Sequence, residues 1–422
     1  MKQMAWYDRL QYGALLLLAA VMPVGWRYAL WVALLLALVS LVKLVSQRRV
    51  GNPALSPALR WMLCAPVAYW LVLAASLLWS TDLAAGWEIL RLKAVLLIFP
   101  LCFLLTDTSC LSRRHLRVIA YVFLAATCAA FLYFLVRAGI DMVQGGSFKS
   151  FNKSFNKGLK ASGGVYHHAY VALYALAAIL FAYHELESRW SRLAAWHRGL
   201  LIAAVVLLCG YIVVVNSRAG ILTTVLVFVC FLLHQAFRYR RWWQAAVAAL
   251  LLAAGGAGLV QLVPRHQNRI VSTVQKIQEK GDKGDARIVI NKASAHAYAR
   301  SPWIGYGVGD YLPVFLDQCR YDNTVTGRAN RNAHNQYMES LLAAGIPGLL
   351  VLLWFLLAPL RRVLRSRNAF ALTLAMGVVL LNLLFESMLE RQMGLLFIGF
   401  LYAYIVLVLS VEENKFVQLG EK

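Results

Sequence analysis

Three groups of residues in the second half of the chain are of types and spacings that could do chemistry. Asn216-Ser217-Arg218-Ala219-Gly220 joins two apolar blocks with almost no loop between them, which puts Arg218 at a membrane edge. A guanidinium there is costly unless it snorkels to the interface or meets an anion. Both readings of Arg218, anchor and anion ligand, stand. Asp285-Ala286-Arg287-Ile288 opens a stretch of helical periodicity. Arg287 taken singly is an ordinary solvated charge, but a guanidinium also presents planar, bidentate donors that match phosphate oxygens. The third group is Asn332-Ala333-His334-Asn335-Gln336-Tyr337-Met338-Glu339, just before an apolar block. A histidine flanked by amides can take a proton from a hydroxyl near neutral pH. A lone histidine is more often structural, and Glu339, five residues on, leaves its own relation to His334 open.

Glu386, Glu390 and Arg391 bracket a short polar stretch near the end of the chain, with the two carboxylates four residues apart and so on one helical face. Glu390 and Arg391 read as interfacial residues. Glu386 is deeper and could order an arginine of a site. No CxxC, no His-rich cluster and no acidic pair suited to a metal stands in the polar segments, so neither metal nor cofactor is expected. Six of the seven cysteines, Cys64, Cys102, Cys110, Cys128, Cys209 and Cys230, lie in or beside apolar blocks, and only Cys319 falls in a long polar segment. An extracytoplasmic intramolecular disulfide is therefore not expected.

The elements that must position these residues are membrane spans. The chain is 61% hydrophobic and 14% charged over 422 residues, far more apolar than a soluble domain. Its apolar blocks run to roughly 17–22 residues, enough to cross a bilayer core as a helix. An all-α polytopic membrane protein of about 12 transmembrane helices is expected, with spans near 10–25, 28–46, 61–79, 94–109, 117–138, 166–185, 199–216, 220–237, 243–262, 344–360, 369–386 and 393–411. The N-terminus has no small-residue cleavage site after a short apolar core and reads as a retained first helix. The organisation is then 1–262 with nine spans, 263–343 as one long loop, and 344–422 with three spans and a tail.

Arginines set the orientation. With the N-terminus inside, every expected inner loop carries at least three, counting its edges: Arg48, Arg49 and Arg60; Arg113, Arg114 and Arg117; Arg189, Arg192 and Arg198; Arg238, Arg240 and Arg241; and Arg361, Arg362, Arg365 and Arg367. Both termini are then cytoplasmic, and the short stretches 80–93 and 387–392 are outer loops. The formal charge of +23, from 42 basic and 19 acidic residues, follows largely from this topology. No nucleic-acid-binding module is visible, and no nucleic acid partner is expected.

Two long outer segments are also basic. Segment 139–165 holds Lys149, Lys153, Lys157 and Lys160, with a tandem Ser-Phe-Asn-Lys repeat at 150–157. Segment 263–343 has eleven Lys or Arg against seven Asp or Glu. Long loops escape the charge rule, so either solubility or a pyrophosphate-bearing or polyanionic ligand accounts for them. Within the second, Ile270–Ile277 and Asp285–Tyr298 have helical periodicity, with Ala286, Ile290, Ala293 and Ala297 on one face. Pro302 and Gly305-Tyr306-Gly307-Val308-Gly309 break it. With no strand before it and no Lys-Ser/Thr after it, this glycine run reads as a structural turn.

The Ser-Arg-Ala-Gly element, Asp285-Ala286-Arg287, and His334-Asn335-Gln336-Tyr337 followed by Gly345-Ile346-Pro347-Gly348 resemble, in type and order, the O-antigen ligase and polymerase superfamily. The dozen spans and the long outer loop before the tenth fit the same pattern. The resemblance implies a GT-C-type glycosyltransferase in the bacterial inner membrane with a periplasmic site. Its donor would be an undecaprenyl-diphosphate-linked glycan, and its acceptor, for a ligase, a sugar hydroxyl of lipid A–core. It further implies Arg218 and Arg287 as ligands of the donor diphosphate, His334 as general base, and Asn335 as a supporting, orienting substrate-site residue. Membrane lipids are the remaining partner. A polysaccharide polymerase and a protein O-oligosaccharyltransferase belong to the same superfamily and remain alternatives. A flippase or other transporter ranks below them, since no internal repeat of broken helices is visible.

Overall fold

The computed structural model describes residues 4–145, 168–215, 217–240, 286–322, 332–364 and 370–420, with isolated residues between 242 and 250. These residues form helices and connecting turns, with no strand among those described. The helices are α1 (Trp6–Val21), α2 (Trp26–Gln47), α3 (Pro57–Ala75), α4 (Leu83–Lys93), α5 (Val95–Leu105), α6 (Arg113–Gly145), α7 (His168–Arg189), α8 (Ala195–Val215), α9 (Arg218–Tyr239), α10 (Ala286–Ala299), α11 (Tyr311–Tyr321), α12 (Gln336–Leu364), α13 (Phe370–Phe385) and α14 (Gln392–Gly420). Several starts carry a side-chain cap. Ser56 accepts from Leu59 N–H at 3.4 Å with Pro57 at the first helical position, and Asp82 accepts from Ala85 N–H at 2.8 Å.

Eight of these helices are long and apolar enough to cross a membrane: α2, α3 extended by a 3₁₀ turn to Trp79, α6, α7, α8, α9, α12 and α14. The chain is a polytopic, helical membrane protein. Eleven of the twelve expected spans coincide with helices, but those at α1, α5 and α13 have 16, 11 and 16 residues, short of a full crossing. The ninth, 243–262, lies almost wholly outside the described residues, as do the 150–157 repeat and Ile270–Ile277.

Other boundaries need correction. Stretch 80–93, expected as a plain outer loop, is mostly the helix α4, because Asp82 caps it and Leu83, Gly86 and Leu90 share a face. The fifth span, expected to end at 138, runs on to Gly145. Helix α11 was not among the expected elements; its Pro313 sits in the first turn, where a missing N–H costs nothing. Helix α12 starts at Gln336, not 344, because its first two turns form before a break at Ala344 and Gly345.

Helices α7 and α14 are the most buried spans and form the centre, while the other six bury half or less of theirs and face outward. In lipid, helices associate by close packing and not by hydrophobic exclusion, so small residues mark the contacts. Helix α7 supplies Ala169, Ala172, Ala175, Ala177, Ala178 and Ala182, all buried. A Cβ on Gly399 would overlap the Phe99 ring, bringing α14 close to α5. Phe123 of α6 joins the centre through ring contacts with Tyr174, Phe181, Phe397 and Phe400 at 5.8–6.4 Å.

The break in α12 is held by the glycine run. Gly345 has φ +61° and ψ −151°, a conformation other residues adopt only with strain, and a Cβ there would overlap the Trp303 carbonyl. The carbonyls freed by the break are taken up from outside the helix: Tyr306 N–H donates to Leu342 O at 2.8 Å and Gly307 N–H to Ala343 O at 3.0 Å. The other edge of the turn docks on the α3–α4 corner. Val308 N–H donates to Ser76 Oγ at 2.9 Å and Gly309 N–H to Ser80 Oγ at 3.1 Å. Asp310 accepts from the backbone N–H of Thr81 at 2.6 Å and of Asp82 at 2.9 Å. Burial alone would raise the Asp310 carboxyl, but these two N–H bonds hold it below the usual carboxylate range. The run is a structural turn, as the sequence suggested, and it clasps α3, α4 and α12 together.

Candidate active site

The clasp brings the start of α10, the segment 332–336 and the turn 386–390 together. Glu386, 4% exposed, is the meeting point. Its Oε1 accepts from Arg287 at 2.9 Å and its Oε2 lies 3.4 Å from His334 Nδ1. Residues 287, 334 and 386, which come from three separate parts of the chain, therefore form one cluster. If Glu386 accepts from Nδ1–H, the basic nitrogen of His334 is Nε2.

His334 is held in a strained backbone conformation, with φ +51°, one of three non-glycine residues with positive φ among those described. Such a state costs of the order of 1–3 kcal/mol and persists only where its surroundings enforce it. Here three hydrogen bonds do so. His334 N–H donates to Asn332 Oδ1 at 3.3 Å, Ala333 N–H to Glu339 Oε1 at 2.6 Å, and Asn335 N–H to Ser387 Oγ at 3.1 Å. Ser387 Oγ in turn donates to Glu339 Oε1 at 3.1 Å. Glu339 thus orients the backbone around His334 and is not bonded to its ring.

Asn335 Oδ1 accepts from the N–H groups of Tyr337 at 3.0 Å and Met338 at 3.3 Å. It is the N-cap of α12, so this oxygen is engaged in starting the helix. Ser217 plays the same part for α9, accepting from Gly220 N–H at 3.1 Å, and places Arg218 at the first helical position. A Cβ on Gly220 would overlap Ala172 of α7. The Ser-Arg-Ala-Gly element therefore combines a cap with a close helix–helix approach. The side chain of Arg218 lies outside the described atoms. An arginine in the first turn stands at the positive end of the helix dipole, where an anion and not a cation is favoured.

Beneath His334 lies a second buried cluster that the sequence did not reveal. Glu390, expected at the interface, is instead only 13% exposed. Its carboxylate pairs with Lys93 of α4, accepts from Gln336 Nε2 at 3.0 Å and from Tyr311 OH at 3.2 Å. Lys93, 2% exposed, also donates to Leu389 O at 3.0 Å, while Gln336 Oε1 accepts from Leu389 N–H at 2.7 Å. Burial, and then the Glu390 charge, pushes the Tyr311 phenol well above its ordinary value, so it remains a neutral donor. Tyr69 and Ser340 share a further bond of 2.7 Å. Lys93 was hidden because a lysine just before an apolar block looks like an interfacial anchor.

Removing one partner of a buried pair strands the other charge, at a cost of about 3–5 kcal/mol. Glu390→Ala should therefore lower thermal stability of the purified protein markedly, and Lys93→Met combined with Glu390→Leu should recover much of the loss. Unchanged melting of the single variant would show that this pair does not hold the floor of the site.

Among the described residues, no group of three or more His, Cys, Asp or Glu side chains is arranged to hold a metal ion. Residues 203–353 match the family model described as O-Antigen ligase. That stretch contains Arg218, Arg287, His334 and Asn335, and stops short of Glu386 and Glu390. No curated protein matches the chain.

Proposed function

Through residues 203–353 the chain belongs to the O-antigen ligase superfamily, and from that premise we propose that it is a GT-C-type inverting glycosyltransferase. It moves a glycan from undecaprenyl diphosphate to a sugar hydroxyl of lipid A–core on the periplasmic face of the inner membrane. The observation that carries this reading is the carboxylate of Glu386 bonded to Arg287 and within 3.4 Å of His334 Nδ1. The acceptor hydroxyl gives its proton to His334 Nε2 as its oxygen bonds to the anomeric carbon. The bond from that carbon to the diphosphate oxygen breaks on the opposite face. The electron pair leaves with undecaprenyl diphosphate, whose added charge Arg218 and Arg287 stabilise, and His334 later releases its proton to solvent. Asn335 supports the step by fixing the start of α12 next to the base.

A strain lacking the chain tests the ligase reading through its lipopolysaccharide bands. Lipid A–core without O-antigen, alongside full-length polymer retained on the carrier, is expected. A single repeat unit capping the core would instead identify a polymerase. The outward placement of the site, which follows from the arginine-rich inner loops, has its own measurement. Single cysteines at Ser154 and Asn323, in a background without the native ones, should react with an impermeant maleimide in intact spheroplasts. Labelling only after rupture would place the site on the other side and remove the periplasmic acceptor.

A further inference from the structure

Glu386 is bonded unequally to Arg287 and to His334. The bond to Arg287 is a full one at 2.9 Å, whereas the approach to His334 is 3.4 Å, at the long limit for a hydrogen bond. We propose that Glu386 is a placeholder for the donor diphosphate: it occupies the Arg287 guanidinium until the diphosphate displaces it, and then closes on His334. This inference rests on the reaction proposed above.

Three features make the exchange physically reasonable. A carboxylate and a phosphate both present paired anionic oxygens at similar spacing, and so compete for the same planar N–H donors. The two partners also differ in burial. Glu386 is buried and its backbone is tied on both sides, its N–H to Asn382 O at 2.9 Å and its O to Met388 N–H at 3.0 Å. Arg287 is 36% exposed, at the start of α10. The arginine is therefore the partner that moves. Finally, once Arg287 turns to the diphosphate, the buried Glu386 carboxylate gains by drawing a nearby donor closer. His334 Nδ1–H is already within reach, and a shorter bond there fixes the ring with Nε2 as the base. The donor shifts this equilibrium because it binds the state in which Arg287 is released from Glu386. The base is thereby ordered after the donor has arrived.

The test uses the full chain in lipid nanodiscs, with undecaprenyl diphosphate as the binding probe and donor-to-acceptor transfer measured on the same preparations. Glu386→Gln removes the competitor, so it should bind the probe roughly tenfold more tightly. It should also transfer roughly ten- to a hundredfold more slowly, because the histidine has lost its orienting carboxylate. A lesion that merely loosened the fold would weaken binding and rate together. In an Arg287→Ala background the gain in affinity from Glu386→Gln should vanish. Glu386→Asp, whose carboxylate is drawn back by one methylene, should tighten binding by a smaller factor and serves where Glu386→Gln does not accumulate. Unchanged or weaker probe binding in the Glu386 variants overturns the exchange. So does a gain that persists in full without Arg287, since it would then be simple repulsion of the diphosphate. His334→Ala measured alongside separates the two levels. Near-normal transfer by His334→Ala removes the proposed reaction itself, whereas an inactive His334→Ala with no tightening in Glu386→Gln removes the exchange alone.

Discussion

Replacing His334 with alanine should lower glycan transfer about 10²- to 10⁴-fold, the range over which a positioned general base contributes. The variant should insert and fold, because the ring is 21% exposed and the local backbone is fixed by Asn332, Glu339 and Ser387 and not by the imidazole. Alanine is also less well suited to φ +51° than histidine, so a His334→Asn variant is the better isostere for this left-handed position. Both should keep their affinity for undecaprenyl diphosphate. Transfer at near wild-type rate by either variant would take the base out of this mechanism. Loss of probe binding would instead make His334 a phosphate ligand, leaving the proton acceptor to be found.

Arg218 and Arg287 should each prove essential in a manner that charge alone does not satisfy. Removing one donor to a developing oxyanion typically costs about 10²–10³ in rate, and Arg218→Ala and Arg287→Ala are expected to fall in that range with weakened donor binding. Lysine variants are the more telling, since Arg287→Lys retains a positive charge beside the buried Glu386 while giving up the planar fork. Both Arg218→Lys and Arg287→Lys should rescue poorly. If both transfer normally, the two residues are general surface charge and the diphosphate is held elsewhere.

Several residues of the candidate site could be singled out before any fold was known, because their chemistry shows in local signals. Arg218 stood out as a charge between two apolar blocks, and His334 as an imidazole among amides at a helix entrance. Glu386 was legible only as a deep carboxylate that could order an arginine, and the fold gives it Arg287 together with His334. The glycine run 305–309 was recognisable as a turn from its composition. Its task was not, since the carbonyls it satisfies belong to a helix break some forty residues later.

What the sequence determined by itself is the membrane-helical class and the position of most helices, since apolar block length and the preference of each backbone for internal hydrogen bonds act locally. Helix starts were less secure where a cap decided them, as at Asp82. Only the tertiary structure decided the floor of the site. Lys93 and Glu390 are 297 residues apart and meet beneath His334 with Tyr311 and Gln336. Periodicity can state that such a residue faces inward or lies at an edge. It cannot name the partner of a buried charge, because that partner is chosen by which helices pack together, and in a bilayer this packing depends on small side chains and shape far more than on the charges themselves.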